Sequence, residues 1–159
     1  MQLKKDLIKN VYNEYTAGMS NADELHFSYT VDYSRYDCGD YITLKIHECA
    51  ELQGDRPNES NTYYVINVKE SRSAYLNDFF LKEEDFKSSI MSEINKQAEQ
   101  RGIEFSSGKT IDYISDFQKF YLKDSKLHIV FDASSIAANS YGELDFEMPF
   151  ILENGKFKL

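Results

Sequence analysis

Residues 25–52 read LHFSYTVDYSRYDCGDYITLKIHECAEL, two alternating runs about one turn. In the first, Leu25, Phe27, Tyr29, Val31 and Tyr33 alternate with polar partners, the period-two mark of a half-buried strand. Asp37 to Asp40, containing Gly39, supplies the turn. Tyr41 to Leu52 then alternates again, with Ile42, Leu44 and Ile46 on one face and Tyr41, Thr43 and Lys45 on the other. The pattern predicts an antiparallel pair.

Upstream, Leu3, Leu7, Ile8, Val11 and Tyr15 are spaced three or four apart, which predicts an amphipathic helix over 2–17, closed by Gly18 and a polar run. That spacing is not the continuous apolar core of a signal peptide, so either the protein stays in the cytoplasm or a leader or anchor lies outside this sequence. Downstream, Gln53–Asn61 holds Gly54, Pro57 and no large apolar side chain, and reads as an exposed loop. Thr62–Val68 reads as a third strand and Lys69–Ser73 as a turn. Tyr75–Leu81 reads as a short helical turn capped by Asn77 or Asp78. From Glu83 to Arg101, Phe86, Ile90, Ile94 and Ala98 recur every fourth position, with acids at the start and Gly102 after the end, which predicts a helix with a complemented macrodipole. Strands are expected at Phe117–Leu122, Leu127–Asp132, Glu143–Pro149 and near Phe157. The reading is α+β, two helices packed on antiparallel sheet in the order α-βββ-α-βββ. It describes one domain, 1–159, of one or two lobes, with parts 1–81 and 82–159.

The 159 residues, 42% hydrophobic, suffice for one packed core. Eighteen basic against 27 acidic side chains give a charge of −9, which repels phosphate backbones, so nucleic acid is not an expected partner. Twelve Tyr and 11 Phe with only 7 Gly and 2 Pro indicate an ordered, β-rich chain. No apolar run approaches the roughly 20 residues that span a bilayer, so no membrane insertion is expected of this segment. No Lys or Arg occurs from Asn10 to Ser34 or from Leu127 to Gly155, while these stretches hold Glu14, Asp23, Glu24, Asp32, Asp132, Glu143, Asp145, Glu147 and Glu153. Cys38 and Cys49 flank a strand and read either as free thiols or as a cross-strand pair.

No CxxC is present, and His26, His47 and His128 are scattered singly, so neither metal nor cofactor is expected. With 27 acids, some close carboxylate pair arises by chance and argues nothing for a glycosidase. His47 and Cys49, two apart on a strand, share a face but lack triad geometry and an oxyanion loop. No catalytic residue is assigned, and the chain is read as not an enzyme.

Several segments in order carry a resemblance. Thr62-Tyr63-Tyr64-Val65-Ile66-Asn67-Val68 and Tyr75-Leu76-Asn77-Asp78-Phe79-Phe80 look like a strand and the phrase that precedes a long helix, and Phe120 to Phe131 looks like the hairpin after it. Ile136, Ala137, Gly142, Phe146, Met148 and Pro149 then match an Ile-Ala-x-x-x-x-Gly-x-x-x-(Val/Phe)-x-(Ile/Met)-Pro ending. Together these resemble the RsiV-like extracytoplasmic domain family over nearly the whole chain. Where that family usually has a Gly-Gly-Ala-His type of loop, this chain has Gln53-Gly54-Asp55-Arg56-Pro57, without the histidine. The resemblance implies a domain outside the bacterial membrane, attached to anti-sigma factors or cell-wall deacetylases, which in the anti-sigma protein recognises lysozyme.

The expected function is therefore a non-enzymatic extracytoplasmic recognition or sensor domain, monomeric, for a cationic protein such as lysozyme or for a cell-wall component. An acidic surface steers a cationic partner, and aromatic side chains anchor it. Asp55, Arg56 and Pro57 in the long loop and Asn139 and Tyr141 in a later turn are the expected contact residues; a solvated connection is the competing reading of the loop, and the tyrosine pairs Tyr63 and Tyr64 or Tyr33 and Tyr36 read as cross-strand packing. The alternatives are a small acidic inhibitor or immunity-type protein and an accessory domain of a cell-wall deacetylase.

Overall fold

A computed structural model describes residues 26–52, 56–81, 85–106, 108 and 110–158, with Lys9, Asn13 and Ala17 as isolated positions. The strands are β1 (Phe27–Cys38), β2 (Tyr41–Leu52), β3 (Asn58–Asn67), β4 (Arg72–Ser73), β5 (Phe120–Lys123), β6 (Lys126–Phe131), β7 (Leu144–Glu153) and β8 (Lys156–Phe157). A helix, α1 (Phe86–Arg101), lies between β4 and β5, and short 3₁₀ turns occupy Leu76–Phe79 and Asn139–Tyr141. Two four-stranded sheets result, in the orders β1-β2-β3-β4 and β5-β6-β7-β8. The fold is α+β, with one α-helix among the described residues rather than two; the helix expected over 2–17 lies outside them except at Lys9, Asn13 and Ala17.

The chain divides into two compact units, Met1–Tyr33 with Ile46–Thr62 and Ser34–Lys45 with Tyr63–Leu159. In the smaller unit, Ala50 and Leu52 are the buried apolar residues among those described. The larger unit holds the hydrophobic core. There the register pairs Phe120 with Ile129, Leu122 with Leu127 and Ile129 with Phe146, and these side chains form the apolar face of the second sheet. From α1, Ile90, Ile94 and Ala98 are buried, as the four-residue spacing requires. Burying an isoleucine contributes about 1.5–3 kcal/mol. Asp85 caps the helix by accepting from Ser88 N at 3.2 Å, and Gly102 ends it at φ 64°, a conformation that costs glycine little. Phe79 of the 3₁₀ turn is fully buried, with ring centroids 4.7 Å from Tyr41 and 5.8 Å from both Phe120 and Phe157.

Each sheet has four strands where the expected order gave three, β4 forming at Arg72–Ser73 inside the stretch read as a turn because Ile66 and Asn67 of β3 pair with it, and several expected boundaries move. β3 starts at Asn58, inside the segment read as a loop, because ladder pairing orders a stretch that its polar side chains would leave open. Phe117 lies outside β5 and is 88% exposed; its N–H donates to Ser115 Oγ at 3.1 Å and Gln118 N donates to Ser115 O at 3.2 Å, so turn chemistry overrides an aromatic residue's strand preference. β7 runs on through Pro149 to Glu153, and the register shifts between Lys126 and His128 of its neighbour, the kind of irregularity that accommodates a strand residue with no N–H to give.

Candidate functional site

The alternation of β5, β6 and β7 sends Phe120, Leu122, Leu127, Ile129 and Phe146 to one face of the sheet and Tyr121, His128, Asp145 and Glu147 to the other, where Tyr121 and His128 are also buried. The register places Tyr121 beside His128 and His128 beside Glu147. Tyr121 stacks on His128 with centroids 4.4 Å apart and planes 16° apart, and on Tyr63 of β3 at 4.7 Å and 11°. Its hydroxyl donates to Asp145 Oδ2 at 2.6 Å, while His128 Nδ1 lies 3.1 Å from Asp145 Oδ1. The Tyr63 hydroxyl donates to Glu143 Oε1 at 2.8 Å, and Lys126 pairs with Glu147. Lys45 and Lys119 stand 5.6 and 5.9 Å from the Tyr63 ring centroid.

Burial first, then the hydrogen bonds to Glu143 and Asp145, hold the Tyr63 and Tyr121 hydroxyls far above the usual phenol range. For Asp145, burial pushes upward, but the hydrogen bonds from His128 and Tyr121 outweigh it and hold the carboxyl below the usual range. Both tyrosines are thus neutral donors and Asp145 a fixed acceptor. Each carboxylate in the row meets a protein donor, so the row provides rigid packing with a defined orientation rather than a free base. Among the described residues, no group of three or more His, Cys, Asp or Glu side chains is placed to hold a metal.

The residues expected to contact a partner fall in separate places. Asp55 lies outside the described residues; Arg56 and Pro57 are exposed and lead into β3 in the smaller unit. Asn139 and Tyr141 belong to the larger unit, in one 3₁₀ turn, where Asn139 Oδ1 accepts from Ser134 Oγ at 3.0 Å and the Tyr141 hydroxyl donates to Gly102 O at 3.2 Å. Cys38 is buried, Cys49 half-buried, and both are free thiols. His47 Nδ1 lies 3.0 Å from Asn61 Oδ1, a cross-strand contact.

The smaller unit presents a different surface. Its sequence holds nine acidic and four basic side chains, against 18 and 14 in the larger unit. Among its described residues the carboxylates are Asp32, Glu48, Glu51 and Glu59, and the cations are Lys9 and Arg56. Val31 and Tyr33 flank Asp32 on β1 and are 54% and 71% exposed.

Residues 77–150 match the family described as Protein of unknown function (DUF3298). The likeness is to DUF3298 proteins. The matched stretch carries α1, β5, β6 and β7 as far as Phe150, and hence Tyr121, His128 and Asp145. In structure, 91% of this chain aligns with 59% of a DUF3298-family protein from Bacteroides fragilis, with a TM-score of 0.59 and 13% identity. A DUF3298-family protein from Pseudomonas aeruginosa aligns over 92% of this chain and 68% of its own length, with a TM-score of 0.57 and 13% identity. At that identity the likeness is one of fold. This chain spans about 59% of the Bacteroides protein's length. No curated protein matches the sequence.

Proposed function

We propose that the domain is a non-catalytic, extracytoplasmic recognition module of the RsiV-like kind, and that it binds a cationic protein such as lysozyme through its smaller unit. The observation that carries this reading is the more than twofold excess of acidic over basic side chains in that unit, together with the exposed Val31 and Tyr33 beside Asp32. Dispersed carboxylates steer a basic partner to the surface, and an exposed tyrosine supplies rigid area on which it packs. Arg56 and Pro57 belong to the same unit and are the contact residues that fit this reading; Asn139 and Tyr141 belong to the other.

Calorimetric titration with a cationic lysozyme, beside an equally basic control protein, tests it. The expected result is selective binding that weakens from low to physiological salt, where charges separated by more than about 8 Å are screened. Tyr33→Ala should lower affinity about tenfold, as loss of an aromatic anchor does, and Tyr141→Ala should leave it unchanged. Lysozyme binding no better than the control overturns the proposal.

A further inference from the structure

Apart from both surfaces, the larger unit contains an open polar cleft of about 810 Å³. It forms where four hairpin turns and the first 3₁₀ turn come together. Gly39 and Asp40 come from the β1–β2 turn, Lys69 and Glu70 from β3–β4, Asn77 and Asp78 from the 3₁₀ turn, Ser125 from β5–β6, and Asn154 and Gly155 from β7–β8. A volume of this size is ordinary for a small-molecule site, which runs from roughly 300 to 1,000 Å³.

Tyr41 makes this cleft more than a gap between turns. Tyr41 is 92% buried, with its ring packed on Phe79, yet no described residue hydrogen-bonds its hydroxyl. No fully buried side-chain oxygen or nitrogen lacks a partner among the described residues, so this hydroxyl is not sealed in and reaches the cleft that Tyr41 lines. An alanine-sized side chain at Gly155 would place its Cβ 3.6 Å from the hydroxyl, which marks how closely the β7–β8 turn approaches. Burial, then the charges of Asp78 and Glu70, keep the phenol above its usual range, so it is neutral, able to donate and accept.

The charges around it select the ligand class. Three acids (Asp40, Glu70, Asp78) and three bases (Lys69, Arg72, Lys156) line the cleft, so it carries no net charge. Arg72 is taken up by Glu70 at 2.7 Å and Asp78 at 2.6 Å, and Lys156 Nζ donates to Asp78 O at 2.6 Å. The side chains left to meet a ligand include Tyr41, Asp40, Lys69, Ser125 and the amides of Asn77 and Asn154, with Phe80 and Leu152 as apolar lining. Amides and a carboxylate bond vicinal hydroxyls, and an apolar wall covers the C–H face of a ring.

From this arrangement we infer that the cleft binds a neutral saccharide of one or two rings, with the Tyr41 hydroxyl as its buried hydrogen-bonding anchor. Two-dimensional ¹H–¹⁵N NMR of the full chain tests this with millimolar glucose, cellobiose, maltose and chitobiose, and with inorganic phosphate as the charged comparison. At least one sugar should shift the amide resonances of Gly39, Asp40, Asn77 and Gly155, with phosphate leaving them in place. Tyr41→Phe, which removes one oxygen and keeps the ring packing, should weaken that binding about tenfold, and Asn77→Ala should weaken it as well. No saccharide-dependent shift at these residues, a response to phosphate alone, or equal affinity in Tyr41→Phe overturns the inference. None of these outcomes depends on whether lysozyme binds the other unit.

Discussion

Asp145 serves two partners at once, and its protonation would weaken both contacts. Folded, its carboxyl titrates below the ordinary value of 3.8; as pH falls, the unfolded chain takes up the proton first, and stability falls with it. The contribution of Asp145 is therefore complete above the unfolded value and is lost as pH drops through the folded one. Asp145→Asn should destabilise the protein at neutral pH by about 1–3 kcal/mol, the cost of weakening bonds to a part-buried tyrosine and histidine, and should flatten the acid limb of stability. Urea unfolding at neutral and acidic pH reads both. The pairing of Tyr121 with His128 was latent in the sequence, because a two-residue turn at Asp124 and Ser125 puts both on one face of a hairpin. Tyr63 was not, since alternation within a strand says which face a side chain takes but not which distant ring covers it.

At the scale of elements, Asn95 on α1 shows how the stretch between α1 and β5 is held. Its Nδ2 donates to Ile111 O at 2.9 Å and its Oδ1 accepts from Ile111 N at 2.7 Å, so one side chain takes the part of a neighbouring strand. Asn95→Ala should destabilise by about 1–3 kcal/mol and speed hydrogen exchange at the Ile111 amide, with little change at Ile129. Unchanged exchange at Ile111 would deny Asn95 that part. The body of α1 and the span of β2 were legible because periodicity, cap and stop signals agree there. The starts of β3 and β5 were not. Asn58 to Thr62 have polar side chains and owe their extended form to a ladder, and Phe117 looks apolar but sits in a Ser-Asp turn.

Across the whole molecule, burial is uneven. The larger unit holds the extensive apolar core, whereas the smaller shows only Ala50 and Leu52 as buried apolar residues among those described. Amides of 28–33 and 46–50 should therefore exchange faster than those of Leu127–Phe131 and Leu144–Met148, a gradient that hydrogen-exchange mass spectrometry resolves. Uniform protection would count against it. The α+β class and the antiparallel pairing were readable from the chain, because each rests on local alternation. Which segments make up each of the two units was not, because each is assembled from separated segments of chain. The aromatic cluster around Phe79 sets an order of events in synthesis. Its rings come from Tyr41, Phe79, Phe120 and Phe157, so Tyr41 leaves the ribosome long before its last neighbour. At about 5–20 residues per second the wait is on the order of ten seconds. Throughout that interval the early strands have no finished core to close against, and a nascent chain stalled before residue 157 would be open to proteases and chaperones in a way that the released protein is not.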